Sequence, residues 1–138
     1  THFLKFVIKH THMLIAHKST NQNGDTELVN DAVNLLNTNG VVGIFPEGHI
    51  YHEDNVQSFN GGVVLMAVLS NSPIYPIYFS KEFKPFKLQH IIVGKPIYLT
   101  DYYEKSATIN TELINKLTII VQNEMNKLEQ KSKEFVKK

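Results

Sequence analysis

Glu47 has the clearest chemical setting in the sequence. It closes the segment Val41-Val42-Gly43-Ile44-Phe45-Pro46-Glu47-Gly48, in which a short apolar run delivers a carboxylate at its C-terminal end. In α/β sheets that is where ligands bind. Pro46 sets the turn, and Gly48 lets the backbone come close to a bound group. The same pattern also reads as an ordinary strand-to-loop exit with a solvated Glu. Seven histidines are present. His10-Thr11-His12 and the His49/His52 pair have imidazoles spaced for a metal such as Zn, Cu or Ni. Neither pair has a third and fourth ligand at a standard spacing, so hydrogen-bonded or solvated side chains describe them better and no metal site is assigned. The chain has no Cys, which excludes disulfides, zinc–thiolate sites and thiolate nucleophiles.

The elements that must hold Glu47 follow from periodicity. Residues 3–9 read as a short helix or the tail of one, and residues 12–17 as a strand. Leu28, Val29, Ala32, Val33 and Leu36 form one helical stripe. Asp25 or Thr26 is positioned to cap its start, and Asn39-Gly40 to end it in a left-handed turn. Residues 41–45 read as a strand covered on both faces. A buried helix is expected over 62–69, a central strand over 73–79, and a further strand over 89–93. A long helix follows from about Thr111, with Leu113, Leu117, Ile120, Met125 and Leu128 on one face. Strand and helix alternate, so the expected fold is α/β, with a mostly parallel central sheet and helices packed on it.

The chain has 138 residues, of which 42% are hydrophobic and 20% charged. That suits one globular domain over 1–138 with a real core and argues against disorder. A net charge of +1 gives no bulk field to attract nucleic acid, so none is expected as a partner. No apolar run approaches the roughly 20 residues a spanning helix needs. The first residue is Thr, and the chain reads as one lacking its N-terminal portion.

Beyond Gly48 come Phe59-Asn60-Gly61-Gly62, an apolar helix, and Ser72-Pro73-Ile74-Tyr75-Pro76-Ile77-Tyr78. This order resembles the glycerolipid acyltransferase family, which includes the 1-acylglycerol-3-phosphate acyltransferases. Phe45, Pro46, Glu47 and Gly48 match the core of its F-P-E-G-T-R-S motif. Phe59 and Gly62 match the following F-K-x-G segment, and Pro73 and Pro76 match its V-P-V-x-P-V motif. Lys18 stands where the family's Asp-Arg motif has its basic residue, and Val93-Gly94-Lys95-Pro96-Ile97 is similar to a later G-x-P-I strand. The resemblance spans essentially the whole chain in the right order. His49-Ile50-Tyr51 replaces Thr-Arg-Ser, so a phosphate-binding Arg becomes Ile50. Lys18 supplies a point charge rather than a bidentate fork.

The resemblance implies transfer of an acyl group from a thioester carrier, acyl-CoA or acyl carrier protein, to a lysophosphatidic-acid-like acceptor in phospholipid biosynthesis. No further cofactor is implied. The family's general base is the His of an N-H-x-x-x-x-D motif, oriented by its Asp. Both are expected upstream of Thr1, which leaves the catalytic residues of this chain unassigned. Lys18, Phe45, Pro46, Glu47 and Gly48 are the implied substrate-binding residues. His49 and Asp54 also spell H-x-x-x-x-D, as a relocated dyad or as part of a solvated loop. The strand over 73–78 would form a wall beside the acyl chain or serve as plain core. Residues 127–138 carry five Lys and two Glu, with Phe135 and Val136 between them. Such an end, like the Phe83-Lys84-Pro85-Phe86-Lys87 loop, suits either anionic lipid or water. Peripheral contact with the cytoplasmic face of a membrane follows from the family's substrates. A non-catalytic lipid-binding module and an unrelated α/β enzyme using the 49–54 loop are the alternatives.

Overall fold

The computed structural model describes residues 23–46, 59–79, 90–104 and 106–136. The chain divides into two compact units, residues 1–42 and 43–138.

In the first unit, α1 (Asn23–Asn37) follows the apolar stripe. Ala32 is fully buried, and Leu28, Val29, Val33 and Leu36 are half-buried. The helix begins ahead of Asp25 and Thr26, so these residues stand inside its first turn instead of capping it. The C-terminal end closes as the sequence suggests. Asn39 adopts a left-handed φ of 61°. The Gly40 N–H then donates to the Leu35 carbonyl at 2.9 Å and the Asn39 N–H to the Leu36 carbonyl at 3.1 Å. These are the two bonds of a Schellman motif.

The second unit is organised around α2 (Gly62–Ser70). Every residue over 63–69 is apolar, so the helix has no face suited to water. Val64, Met66, Ala67 and Val68 are buried. Val64, Ala67 and Val68 pack with Ile97, Leu99, Leu117 and Val121, and Phe59, Ile74, Tyr103, Leu113, Ile114 and Ile120 surround this core. α2 also ends in a Schellman motif. Asn71 takes φ 52°, and the Ser72 N–H donates to the Ala67 carbonyl at 3.1 Å.

The chain then runs through β1 (Ile77–Phe79), which pairs antiparallel with β2 (Ile91–Val93), Ile77 opposite Val93 and Phe79 opposite Ile91. Two further contacts extend the ribbon. The Gly94 N–H donates to the Pro76 carbonyl at 2.8 Å, and Ile74 and Ile97 exchange bonds of 3.0 and 2.8 Å. A Cβ on Gly94 would lie 2.7 Å from Pro76 Cγ and 3.2 Å from Leu128, so only glycine fits unperturbed between the ribbon and the last helix. A 3-10 turn over Leu99–Asp101 leads towards α3 (Thr111–Val136). There the Asn110 side chain accepts the Leu113 N–H at 2.9 Å, an N-cap. Leu117, Val121 and Leu128 are buried along α3, while Leu113, Ile120 and Met125 are half-buried.

Two lysines of the basic C-terminal stretch are engaged along α3. Lys133 pairs with the buried Glu129 at 2.8 Å, and Lys127 with Glu124. The Glu124 hydrogen bond, reinforced by its charge, holds the Lys127 amine above the ordinary lysine value.

The fold mixes helices with strands as expected, but a mostly parallel sheet is not what forms: among the described residues the sheet has two strands and they are antiparallel. The interval between Phe79 and Ile91 is residues 80–90, eleven residues. A parallel return needs a crossover of about a dozen or more, whereas an antiparallel return needs only a hairpin connection. The expected central strand over 73–79 is thus half of a ribbon. One face buries Tyr78, while the other exposes Ile77, Phe79, Ile91 and Val93. Nor do residues 41–45 form a strand. They join no ladder among the described residues, and Val41 and Phe45 are 88% and 85% exposed. An apolar run becomes a central strand only when neighbouring strands supply its ladder and both faces are covered.

The left-handed cap of α2 gives a direct test. Asn71→Val is expected to destabilise the protein by about 1–2 kcal/mol, the penalty of a Cβ-branched residue in that conformation. Asn71→Gly is expected to match or exceed the parent, and urea unfolding of the two variants measures both.

Candidate functional site

The site is anchored where the chain leaves Pro46. Pro46 lies in a turn and is half-buried, and Phe45 before it is exposed. The Pro46 carbonyl accepts the Asn60 N–H at 2.8 Å. This bond spans the intervening residues 47–59. It therefore brings the Phe45-Pro46 motif and the Phe59–Gly62 motif together, although the sequence separates them.

Asn60 serves both sides of this junction. Its backbone N–H closes the clasp, while its side-chain Oδ1 accepts the Gly62 N–H at 3.0 Å. That second bond satisfies one of the unpaired donors at the start of α2. The first turn of α2 carries no acidic residue, so the positive end of its dipole is unopposed by a side chain of its own and favours a nearby anion.

Gly61 fixes where this end of α2 sits. A Cβ there would lie 2.8 Å from Ile114 Cγ2 and 3.6 Å from Thr118 Oγ1, so the chain passes against α3 at a distance only glycine permits. The buried Thr118 hydroxyl donates to the Ile114 carbonyl at 2.7 Å and leaves no unpaired polar group at this contact. Phe59 packs against the core. The clasp is thus tied to the hydrophobic interior through its neighbours on both sides of Asn60.

Of the residues assigned from sequence, Phe45 and Pro46 stand at this clasp. Lys18, Glu47, Gly48, His49 and Asp54 lie outside the described residues. Pro73 is exposed at the exit of α2, and Pro76 is buried with its carbonyl bonded to Gly94. The two later motifs, around Pro76 and around Gly94, therefore form a single ribbon. Sequence reasoning passed over Asn60. The signal was available, since an Asn two residues ahead of an apolar helical run is an N-terminal capping signature. Among the described residues no group of three His, Cys, Asp or Glu is placed to hold a metal ion, and no helix is long and apolar enough to cross a membrane.

The close approach at Gly61 predicts a specific pattern of coupling. Gly61→Ala is expected to cost about 1–3 kcal/mol through overpacking against Ile114. In an Ile114→Ala background the same change should cost much less, and a double-mutant cycle by chemical denaturation measures the difference.

Comparison with known proteins gives one family. A family model described as Acyltransferase matches residues 1–80, which includes the clasp, α2 and β1 and stops before β2. No curated protein and no solved structure matches the chain.

Proposed function

The chain belongs to the acyltransferase family, and we propose that it serves phospholipid synthesis, moving an acyl group from a thioester carrier to a lysophosphatidic-acid-like acceptor. General acyltransferase function is what family membership supports. The single observation that carries the finer reading is the clasp between Pro46 and Asn60. It holds Phe45-Pro46 and the start of α2 side by side, as recognition of one phosphorylated acceptor by both motifs would require.

In this reading the acceptor hydroxyl attacks the thioester carbonyl as a histidine base, expected upstream of Thr1, removes its proton. The thiol of the carrier leaves, and no covalent enzyme intermediate forms. Glu47 orients the acceptor or the groups that bind it, and Gly48 admits the acceptor to the backbone. Lys18 and backbone amides hold the phosphate, with the dipole of α2 adding to their field. The donor is acyl-CoA or an acyl carrier protein. The acceptor places the protein at the cytoplasmic face of a membrane, in peripheral contact.

The deciding experiment measures transfer from a labelled acyl thioester to 1-acylglycerol-3-phosphate by the 138-residue chain and by the complete gene product. Activity confined to the complete product supports the reading. Activity in this chain alone would transfer the base role to His49, oriented by Asp54. Silence from both, with lysophospholipid still bound, would replace the enzyme with a lipid-binding module.

Two variants of the active form probe the assigned residues. Glu47→Ala is expected to lower acyl transfer by about tenfold or more while shifting Tm by less than ~2 °C. Equal losses of folding and activity would make Glu47 structural. Lys18→Ala is expected to weaken the phosphorylated acceptor by about 1.5–3 kcal/mol, seen as a raised KM with kcat little changed. An unaltered KM would remove Lys18 from the phosphate site.

A further inference from the structure

Three Asn-Gly pairs occur in the sequence, at Asn23, Asn39 and Asn60, and the structure sets Asn39-Gly40 and Asn60-Gly61 apart by their hydrogen bonding. An Asn followed by Gly is the sequence most open to intramolecular cyclisation, because no side chain shields the following nitrogen. The Gly nitrogen loses its proton and bonds to the Asn Cγ, the Cγ–Nδ2 bond breaks, and the amide leaves as ammonia. Water then opens the resulting succinimide at either carbonyl, giving Asp or isoaspartate. The two pairs share this chemistry and differ in what surrounds the reacting atoms.

At Asn39 the fold blocks the reaction. The Gly40 N–H points at the Leu35 carbonyl, 2.9 Å away. In the succinimide that hydrogen is replaced by the Asn39 Cγ, so the new carbon would be driven into the Leu35 oxygen. Space at Gly40 is already short, since a Cβ on it would come within 2.5 Å of the Leu35 side chain. Ring closure therefore requires the Schellman cap of α1 to open first.

At Asn60 the arrangement is reversed. Among the described residues no carbonyl receives the Gly61 N–H. The Asn60 Oδ1, where negative charge develops as Gly61 nitrogen adds to Cγ, already accepts the Gly62 N–H at 3.0 Å. A donor at a helix N-terminus aimed at a developing oxyanion lowers the barrier to its formation. The exposed Asn60 side chain also gives water access for the hydrolysis step.

We propose that Asn60-Gly61 is a self-modification site, at which the folded protein forms a succinimide and then Asp or isoaspartate, while Asn39-Gly40 is held inert by its helix cap. The product bears on the clasp directly. Isoaspartate inserts a methylene into the backbone between the Asn60 N–H that bonds Pro46 and the Gly62 N–H that starts α2. Either product places a carboxylate at the positive end of α2, where the phosphate of the proposed acceptor would lie. The chemistry itself does not depend on the acyl-transfer reading.

The test incubates the folded protein at mildly alkaline pH and follows the peptides containing residues 39 and 60 by mass, with isoaspartyl methyltransferase labelling to mark the isomer. The expected result is a one-dalton gain and label at Asn60 several-fold faster than at Asn39, with the two rates converging in strong denaturant. Asn60→Ser keeps a capping hydroxyl and should abolish the reaction at that position. A rate at Asn39 equal to or above that at Asn60 in the folded protein would overturn the proposal, as would an Asn60 that stays intact while its denatured counterpart reacts.

Discussion

The second unit depends on enclosing α2. A helix of nine residues is too short to hold itself together in water, and one with apolar residues all round gains nothing from exposure. Its stability comes from partners, and each Val or Met removed from water contributes about 1.5–3 kcal/mol. α3 supplies one wall through Ile114, Leu117 and Val121, and Ile97 with Leu99 at the start of the 3-10 turn supplies another. Once these walls close, the position of everything entering or leaving α2 is constrained. Gly61 and Asn71 mark the two ends of that constraint, one by close approach and one by a left-handed turn.

The candidate site inherits its rigidity from this packing. Pro46 lies in a turn with Phe45 exposed before it, and it is held by a hydrogen bond to a residue two positions before α2. Because the Asn60 side chain also accepts the Gly62 N–H beside the N-cap Gly61, the clasp and the helix start share one residue. A change at Asn60 therefore acts on both, which is why its chemistry reaches further than that of an ordinary surface amide. The reuse of Asn at helix ends elsewhere in the chain, at Asn39, Asn71 and Asn110, shows the same economy. A short polar side chain either accepts a backbone N–H or tolerates positive φ, and both tasks arise where helices stop or start.

The ribbon of β1 and β2 shows how far local signals reach. The apolar run ending at Phe79 identifies a strand, and that much belongs to the sequence; that only one of its faces is covered is a finding of the structure. Direction does not. Whether the next strand returns parallel or antiparallel depends on what the connection allows, and the eleven-residue interval favours the antiparallel return. Gly94 is similar. Its place after a strand is visible in the sequence, but its fit between Pro76 and Leu128 is a matter of three elements meeting.

By itself the sequence determined the helices, because a 3.6-residue apolar period and Asn-bearing ends are local properties. α1, α2 and α3 lie where periodicity puts them, and the left-handed end at Asn39 was legible from Asn-Gly alone. It also carried the order of motifs that identifies the acyltransferase family. The tertiary structure alone decided which segments meet. The bond from Asn60 to Pro46 joins positions fourteen apart, the contact of Gly61 with Ile114 joins positions more than fifty residues apart, and neither leaves a period in the sequence. The run over 41–45 illustrates the limit. Its composition is that of a buried strand, yet a strand exists only when a neighbour completes its hydrogen bonds, and that is a property of the assembled chain.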